Sequence, residues 1–147
     1  MADLPAAVLF ACTMNSLRSP MAAAILRHLH GHRIYVDSTG VRAREIDGFA
    51  VAVMDEIGIE LSDHVAKTFD NLEDSSFDVV ISLSPEAQHK AVEMTRVMAC
   101  EVEFWNTFDP SIVEGSRDAR LDAYRQVRDE LTRRIKERFA MTRAVDV

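Results

Sequence analysis

The chain has 147 residues, 48% of them apolar, with only 5 glycines and 4 prolines, which is the make-up of one folded domain over 1–147 and not of a disordered chain. A formal charge of −7 leaves no cation-rich face for a nucleic acid, so a bound anion must be held by a few aimed donors. Two cysteines are too few for a disulfide framework, no apolar run reaches the ~20 residues that span a bilayer, and Met1-Ala2-Asp3 lacks a signal-peptide layout; a soluble, cytoplasmic protein with reduced thiols and no membrane partner is expected.

Ala6 to Ala11 is a short continuous apolar run, the pattern of a strand buried on both faces of a parallel sheet. A polar loop follows, then Ser19-Pro20, read as an N-cap and first helical residue. Met21, Ile25 and Leu29 recur every four residues, which predicts a helix that stops near Gly31. Ile34-Tyr35-Val36 reads as a second strand, and Phe49, Val53, Met54 and Ile57 mark a second helix closed by Gly58. Phe77 to Leu83 is a third strand, and Ser84-Pro85-Glu86 opens a third helix. Val102 and Phe104 alternate with Glu101 and Glu103 as a fourth strand. Leu121, Tyr124, Val127, Leu131, Ile135 and Phe139 step by three and four along a long closing helix with arginines on its outer face. The tail, from about residue 140 to 147, carries no pattern and is expected to be poorly ordered. Strand–helix alternation predicts an α/β fold with a mostly parallel sheet, in which ligands sit beyond the carboxyl ends of the strands.

The loop after the first strand, Cys12-Thr13-Met14-Asn15-Ser16-Leu17-Arg18, is therefore the first candidate site. A loop turning into a helix N-terminus can point several backbone N–H groups inward and form an anion nest. Arg18 adds a planar fork for two oxygens of the anion. Cys12 lies at the base of that positive field, which favours thiolate over thiol, and the Ser19 hydroxyl can donate to the sulfur. Asn15 can brace the loop from within. The ordinary alternative is that Cys12 is a small buried hydrophobe and Arg18 a surface charge, because Cys-x5-Arg arises often by chance; its position between strand and helix is what favours the anion site.

Several segments carry a further likeness: Val8 to Cys12, Asn15, Arg18 to Ala22, Ser38-Thr39-Gly40, Glu56 to Ile59 with His64 downstream, Phe77 to Ile81, and Asp109-Pro110. With them the chain resembles the low-molecular-weight protein tyrosine phosphatase family, whose relatives include the thioredoxin-type arsenate reductases. The resemblance implies a four-stranded parallel sheet flanked by helices, with a phosphate-binding loop after the first strand. It implies Cys12 as nucleophile, Arg18 as oxyanion clamp and Asp109 as proton donor, with Thr13, Met14, Asn15, Ser16, Leu17 and Ser19 binding the anion and Ser38 holding Asn15. Three departures stand out. Val41 to Glu45 is shorter than the family's substrate-facing loop and has no aromatic. Ser111-Ile112 stand where phosphatases carry tyrosines, so Trp105 is considered as a rebuilt aromatic wall. No cysteine pair lies near Ser84, and Leu17 stands where many members have a second cysteine.

The function expected on this basis is a cysteine-dependent phosphomonoesterase, a protein tyrosine phosphatase working through a phosphocysteine on a phosphorylated protein or a small aryl phosphate, without cofactor or metal. The alternatives are a thiol-dependent arsenate reductase served by a small thiol or redox protein, and a non-catalytic oxyanion or phosphoprotein binder. Secondary features have plainer readings. His28, His30 and His32 are read as helix-end residues and not a metal site, Cys100 as near-core with a Cys12 partnership as the sharper idea, and Arg42 and Arg44 as loop charges that could meet an acidic substrate.

Overall fold

The computed structural model describes residues 4–73 and 76–140, so most of the expected tail, from Met141, lies outside the described residues. Four parallel strands, β1 (Ala7–Cys12), β2 (Tyr35–Gly40), β3 (Val79–Ser82) and β4 (Glu101–Phe104), form one sheet in the order β2-β1-β3-β4. Four helices flank it: α1 (Arg18–His30), α2 (Gly48–Asp55), α3 (Pro85–Met94) and α4 (Arg117–Arg138). β1 is buried along its whole length, as a central parallel strand covered on both faces must be.

Side-chain alternation along β1 splits the core into two layers. Val8, Phe10 and Cys12 face α1, α2 and α4, where Met21, Leu26, Met54, Leu131 and Ile135 complete the larger cluster. Ala7 and Leu9 face the other side, where Phe77, Val80 and Ala91 form the smaller one. Each large side chain fully buried in these layers contributes about 2 kcal/mol from apolar area removed from water.

The arginines of α4 are not all on its outer face. Arg128 is buried, and its guanidinium donates to Val53 O and to Glu56 Oε1, both at 2.8 Å. Arg125 binds the same carboxylate from outside, and the two guanidiniums, Arg125 first, hold the Glu56 carboxyl down to about 2. The periodicity of α4 could not reveal this, because it marks apolar residues and Arg128 buries its stem while its head finds polar partners.

Two starts differ from expectation. α1 begins at Arg18 with Leu17 before it and no side-chain cap, so Ser19 is not the N-cap. Its hydroxyl is engaged elsewhere, as described below. β2 runs to Gly40, beyond the expected Val36, because the polar residues Asp37, Ser38 and Thr39 are buried with hydrogen-bond partners. α3 starts as expected, with Ser84 Oγ accepting from Ala87 N and Pro85 at the first position. Among the described residues no helix is long and apolar enough to cross a membrane.

Candidate active site

Cys12 ends β1, at the carboxyl edge of the sheet, and is 2% exposed at the base of a cleft of about 300 Å3. Thr13, Met14, Ser16, Leu17 and Arg18 form one wall of the cleft, and Arg44, Glu45, Glu86 and Asp109 stand round its mouth. The segment after β2 shapes the loop by backbone pairing: Val41 N donates to Cys12 O, Arg42 N to Thr13 O, Arg44 N to Met14 O and Asp47 N to Ser16 O. With these carbonyls turned outward, and α1 left uncapped, amide hydrogens at the start of the helix are free to meet an anion.

Among the described residues the sulfur has one hydrogen-bond partner. Cys12 Sγ lies 2.9 Å from Ser19 Oγ. Ser19 Oγ in turn accepts from Asn15 Nδ2 at 2.9 Å and lies 3.3 Å from Thr39 O as a donor, so the hydrogen between Ser19 and the sulfur can come from either atom. Asn15 is the keystone behind this contact. It takes a left-handed backbone with φ +52°, which asparagine tolerates better than most residues. Its Nδ2 also donates to Ser38 Oγ at 3.0 Å, and its Oδ1 accepts from Lys67 N at 3.0 Å. The side chains of Asn15 and Ser19 are thus engaged with each other and with Ser38 behind the loop, which they brace.

His64 Nε2 lies 3.0 Å from Asn15 O and 3.1 Å from Asn15 Oδ1. Both partners are acceptors, so Nε2 carries the hydrogen. Burial pushes the His64 imidazole below its usual 6.5, against the opposing pull of the Asn15 carbonyl. Beneath this layer, Gly40 touches the loop so closely that an added Cβ would lie 2.5 Å from Arg42 O and 2.7 Å from Asn15 N. His64 and Lys67 acquire their supporting roles only through the fold; His64 was marked by resemblance alone and Lys67 by nothing in the sequence.

Two stability predictions follow from this layer. Replacing Asn15 by Ala removes the partners of Lys67 N and of two buried hydroxyls and leaves a left-handed alanine, so it should cost about 3 kcal/mol in urea unfolding. A loss under about 1 kcal/mol would contradict the keystone role. For His64, the unfolded chain binds the proton more readily than the folded one, so its contribution is complete above pH 6.5 and is lost as the pH falls through the lowered folded value. His64→Gln should flatten the stability profile below pH 6.5, read by unfolding midpoints; an unchanged slope would exclude His64 as its source.

Arg18 is 9% exposed, and its Nη1 donates to Thr107 O at 2.9 Å. This bond ties the loop to the strap carrying Asp109, whose Oδ1 accepts from Ser111 N at 3.0 Å and Ser111 Oγ at 2.6 Å. Asp109 therefore caps a short 3-10 turn and also borders the cleft. Asp109, far in sequence from Cys12 and Arg18, shares one cavity with them.

The sequence model of the low molecular weight phosphotyrosine protein phosphatase family matches residues 7–144. The chain belongs to this family. Among its curated relatives, an arsenate reductase of Bacillus subtilis is 33% identical over 135 residues, covering 92% of this chain and 95% of the relative. A glutaredoxin arsenate reductase of Synechocystis is 31% identical over 133 residues, 90% of this chain and 95% of its own. A solved arsenate reductase in the phosphate binding state superposes with a TM-score of 0.71 at 28% identity, over 92% of this chain and 97% of that one.

These relatives overturn the expectation of a protein tyrosine phosphatase. Within this enzyme family, four curated relatives that are 33–35% identical over 92% of the chain are named arsenate reductases. The physical departures agree with that correction. Trp105 does not line the cleft; it packs edge-on against Phe10 at 6.2 Å and donates to Glu103, so no aromatic wall is rebuilt there. Of the loop charges, Arg44 stands at the mouth, whereas Arg42 is bound to Glu86. The described residues hold no group of metal-ligating side chains.

Cys100 is half-buried against the smaller core layer, and burial pushes its thiol up. It precedes β4, whose Glu101 is level with Val79 and so with Val8, while Cys12 lies four residues further along β1. Two strand spacings and four residues of rise separate the two ends by roughly 16 Å. A disulfide needs Cα atoms within about 7 Å, so the register rules out a Cys12–Cys100 bridge in this fold.

Proposed function

We propose that this chain is a thiol-dependent arsenate reductase in which Cys12 attacks arsenate and thiols from outside the chain complete the reduction. The observation that carries the reading is a single thiol, that of Cys12, at the base of a cleft of about 300 Å3, with the chain's other cysteine at the far end of the sheet, in a sequence whose relatives are named arsenate reductases. The relative named a glutaredoxin arsenate reductase supports a thiol or redox-protein partner.

In this reading the loop N–H groups and Arg18 hold the arsenate oxygens. The Cys12 thiolate forms a bond to arsenic while one As–O bond breaks, and Asp109 supplies a proton so that the oxygen departs as water. An external thiolate then attacks Cys12 Sγ. A disulfide forms, and the electron pair of the S–As bond passes to arsenic, which leaves as arsenite. A second external thiol releases Cys12 from the mixed disulfide. The sum is one arsenate and two thiols giving one arsenite, one disulfide and water. Arg18 and the amide nest supply the positive charge that the oxyanion requires.

The test is to mix purified protein with arsenate and a panel of thiols and to measure arsenite and oxidised thiol together. Arsenite should appear with two thiols consumed for each. No arsenite with any small thiol, glutaredoxin or thioredoxin, from protein whose Cys12 is reduced and alkylatable, would overturn the reading.

A further inference from the structure

From Arg125 onward, every arginine of α4 is paired with a carboxylate. The two at its start differ. Among the described residues, Arg117 and Arg120 form no ion pair, and both guanidiniums instead lie over the Phe49 ring, 5.3 and 4.6 Å from its centroid. Tyr124 braces that ring edge-on at 5.4 Å. Two guanidiniums are thus held on one ring without an ion pair, in a protein whose net charge is −7. Stacking on the ring fixes the planar groups and lowers the ordering cost of binding a carboxylate.

These arginines, Phe49 and Tyr124 border a second cleft, of about 490 Å3, within the size range of small-molecule sites. It shares Asp47 and Ser111 with the cleft over Cys12, so the two adjoin. The shared seam has a polarity. The Asp47 carboxylate is engaged by Tyr124 OH at 2.8 Å and by Phe49 N and Ala50 N, and Asp109 stands just beyond it.

We propose that this second cleft seats the reductant, a low-molecular-weight thiol bearing a carboxylate: Arg117 and Arg120 hold the carboxylate, and the thiol sulfur reaches across the seam to Cys12. The inference rests on the arsenate reductase reading for its biological sense, and on the two clefts for its geometry. Because the chain has no second thiol near Cys12, the incoming thiolate must approach through the mouth, and this cleft is an adjoining approach that carries cations outside any ion pair. Its thiolate bonds to Cys12 Sγ as the S–As bond breaks and arsenite departs with that electron pair. A redox protein would dock over a wider surface and would not depend on these two side chains.

The experiment separates the subsite from the arsenate chemistry. Cys12 of a Cys100→Ser protein is converted to its 2-thiopyridyl disulfide, and release of thiopyridone is timed with glutathione and with glutathione diethyl ester. The same attack on Cys12 Sγ occurs, with a different leaving group. After correction for free-solution reactivity, glutathione should react about tenfold faster than the ester. In Arg117→Gln/Arg120→Gln the two rates should become equal, while Arg133→Gln, a paired arginine of the same helix, leaves the preference intact. No preference in the parent, or one that survives the double substitution, overturns the proposal. Rapid release by glutaredoxin without any glutathione preference would likewise overturn it, in favour of a protein reductant. Failure of arsenate reduction by every thiol would sink the enzymatic reading alone, since the thiopyridone ratio is measured without arsenate.

Discussion

Cys12→Ser should lower arsenate-dependent thiol oxidation by at least about a thousandfold while leaving the cleft able to bind an oxyanion. The expectation follows from the position of Cys12. It is buried at the end of β1, 2.9 Å from Ser19 Oγ, in a loop whose shape is set by backbone bonds and by Asn15. Serine is close to cysteine in size, so none of these supports depends on the sulfur. A hydroxyl at that place is far less nucleophilic than a thiolate, and it cannot form the mixed disulfide through which arsenic gains its electron pair. Inorganic phosphate binding followed by calorimetry should stay within a few-fold of the parent, which separates lost chemistry from a lost pocket. Retention of more than about a tenth of the activity would show that another group performs the attack.

Arg18→Lys should cost about a hundredfold in kcat/KM for arsenate, although the charge is kept. One nitrogen of the guanidinium is committed to Thr107 O at 2.9 Å, and the planar group can still present its remaining N–H donors to oxygens in the cleft. An ammonium has no such geometry; to reach the anion it must abandon Thr107. The strap that carries Asp109 would then lose its tie to the loop. The loss should therefore appear in kcat as well as in anion affinity. A change below about threefold would mean that the amide nest alone carries the oxyanion.

Much of this arrangement was legible in the sequence because it is local. An unbroken apolar run before Cys12 and a Ser-Pro step after Arg18 bracket an anion loop, and the structure puts Cys12 and Arg18 in one cleft. The cap of α3 at Ser84 was equally readable, since its bond spans three residues. What escaped depends on long-range pairing. Asp37, Ser38 and Thr39 look like loop residues by polarity, yet they lie inside β2 because Lys67, Asn15 and Ser19 satisfy them. Ser19 was read both as a helix cap, the commonest use of serine before proline, and as a partner of the sulfur; the cap is absent, and the contact with the sulfur seven residues earlier is present. The substrate was misjudged for a different reason. A nest of amides and a guanidinium recognises the tetrahedral oxyanion and does not distinguish phosphorus from arsenic, so the loop alone could not choose between them.

The contact at Gly40 bears on how the cleft meets its ligand. With 2.7 Å between a notional Cβ and Asn15 N, the floor beneath the loop, behind the cleft, is close-packed main chain at that point, and it belongs to a strand paired along its length with β1. Such a floor cannot flex without shifting the sheet. Capture of the anion should therefore proceed on a surface already shaped for it, with little ordering entropy to overcome and a near-identical backbone whether the cleft is empty or filled.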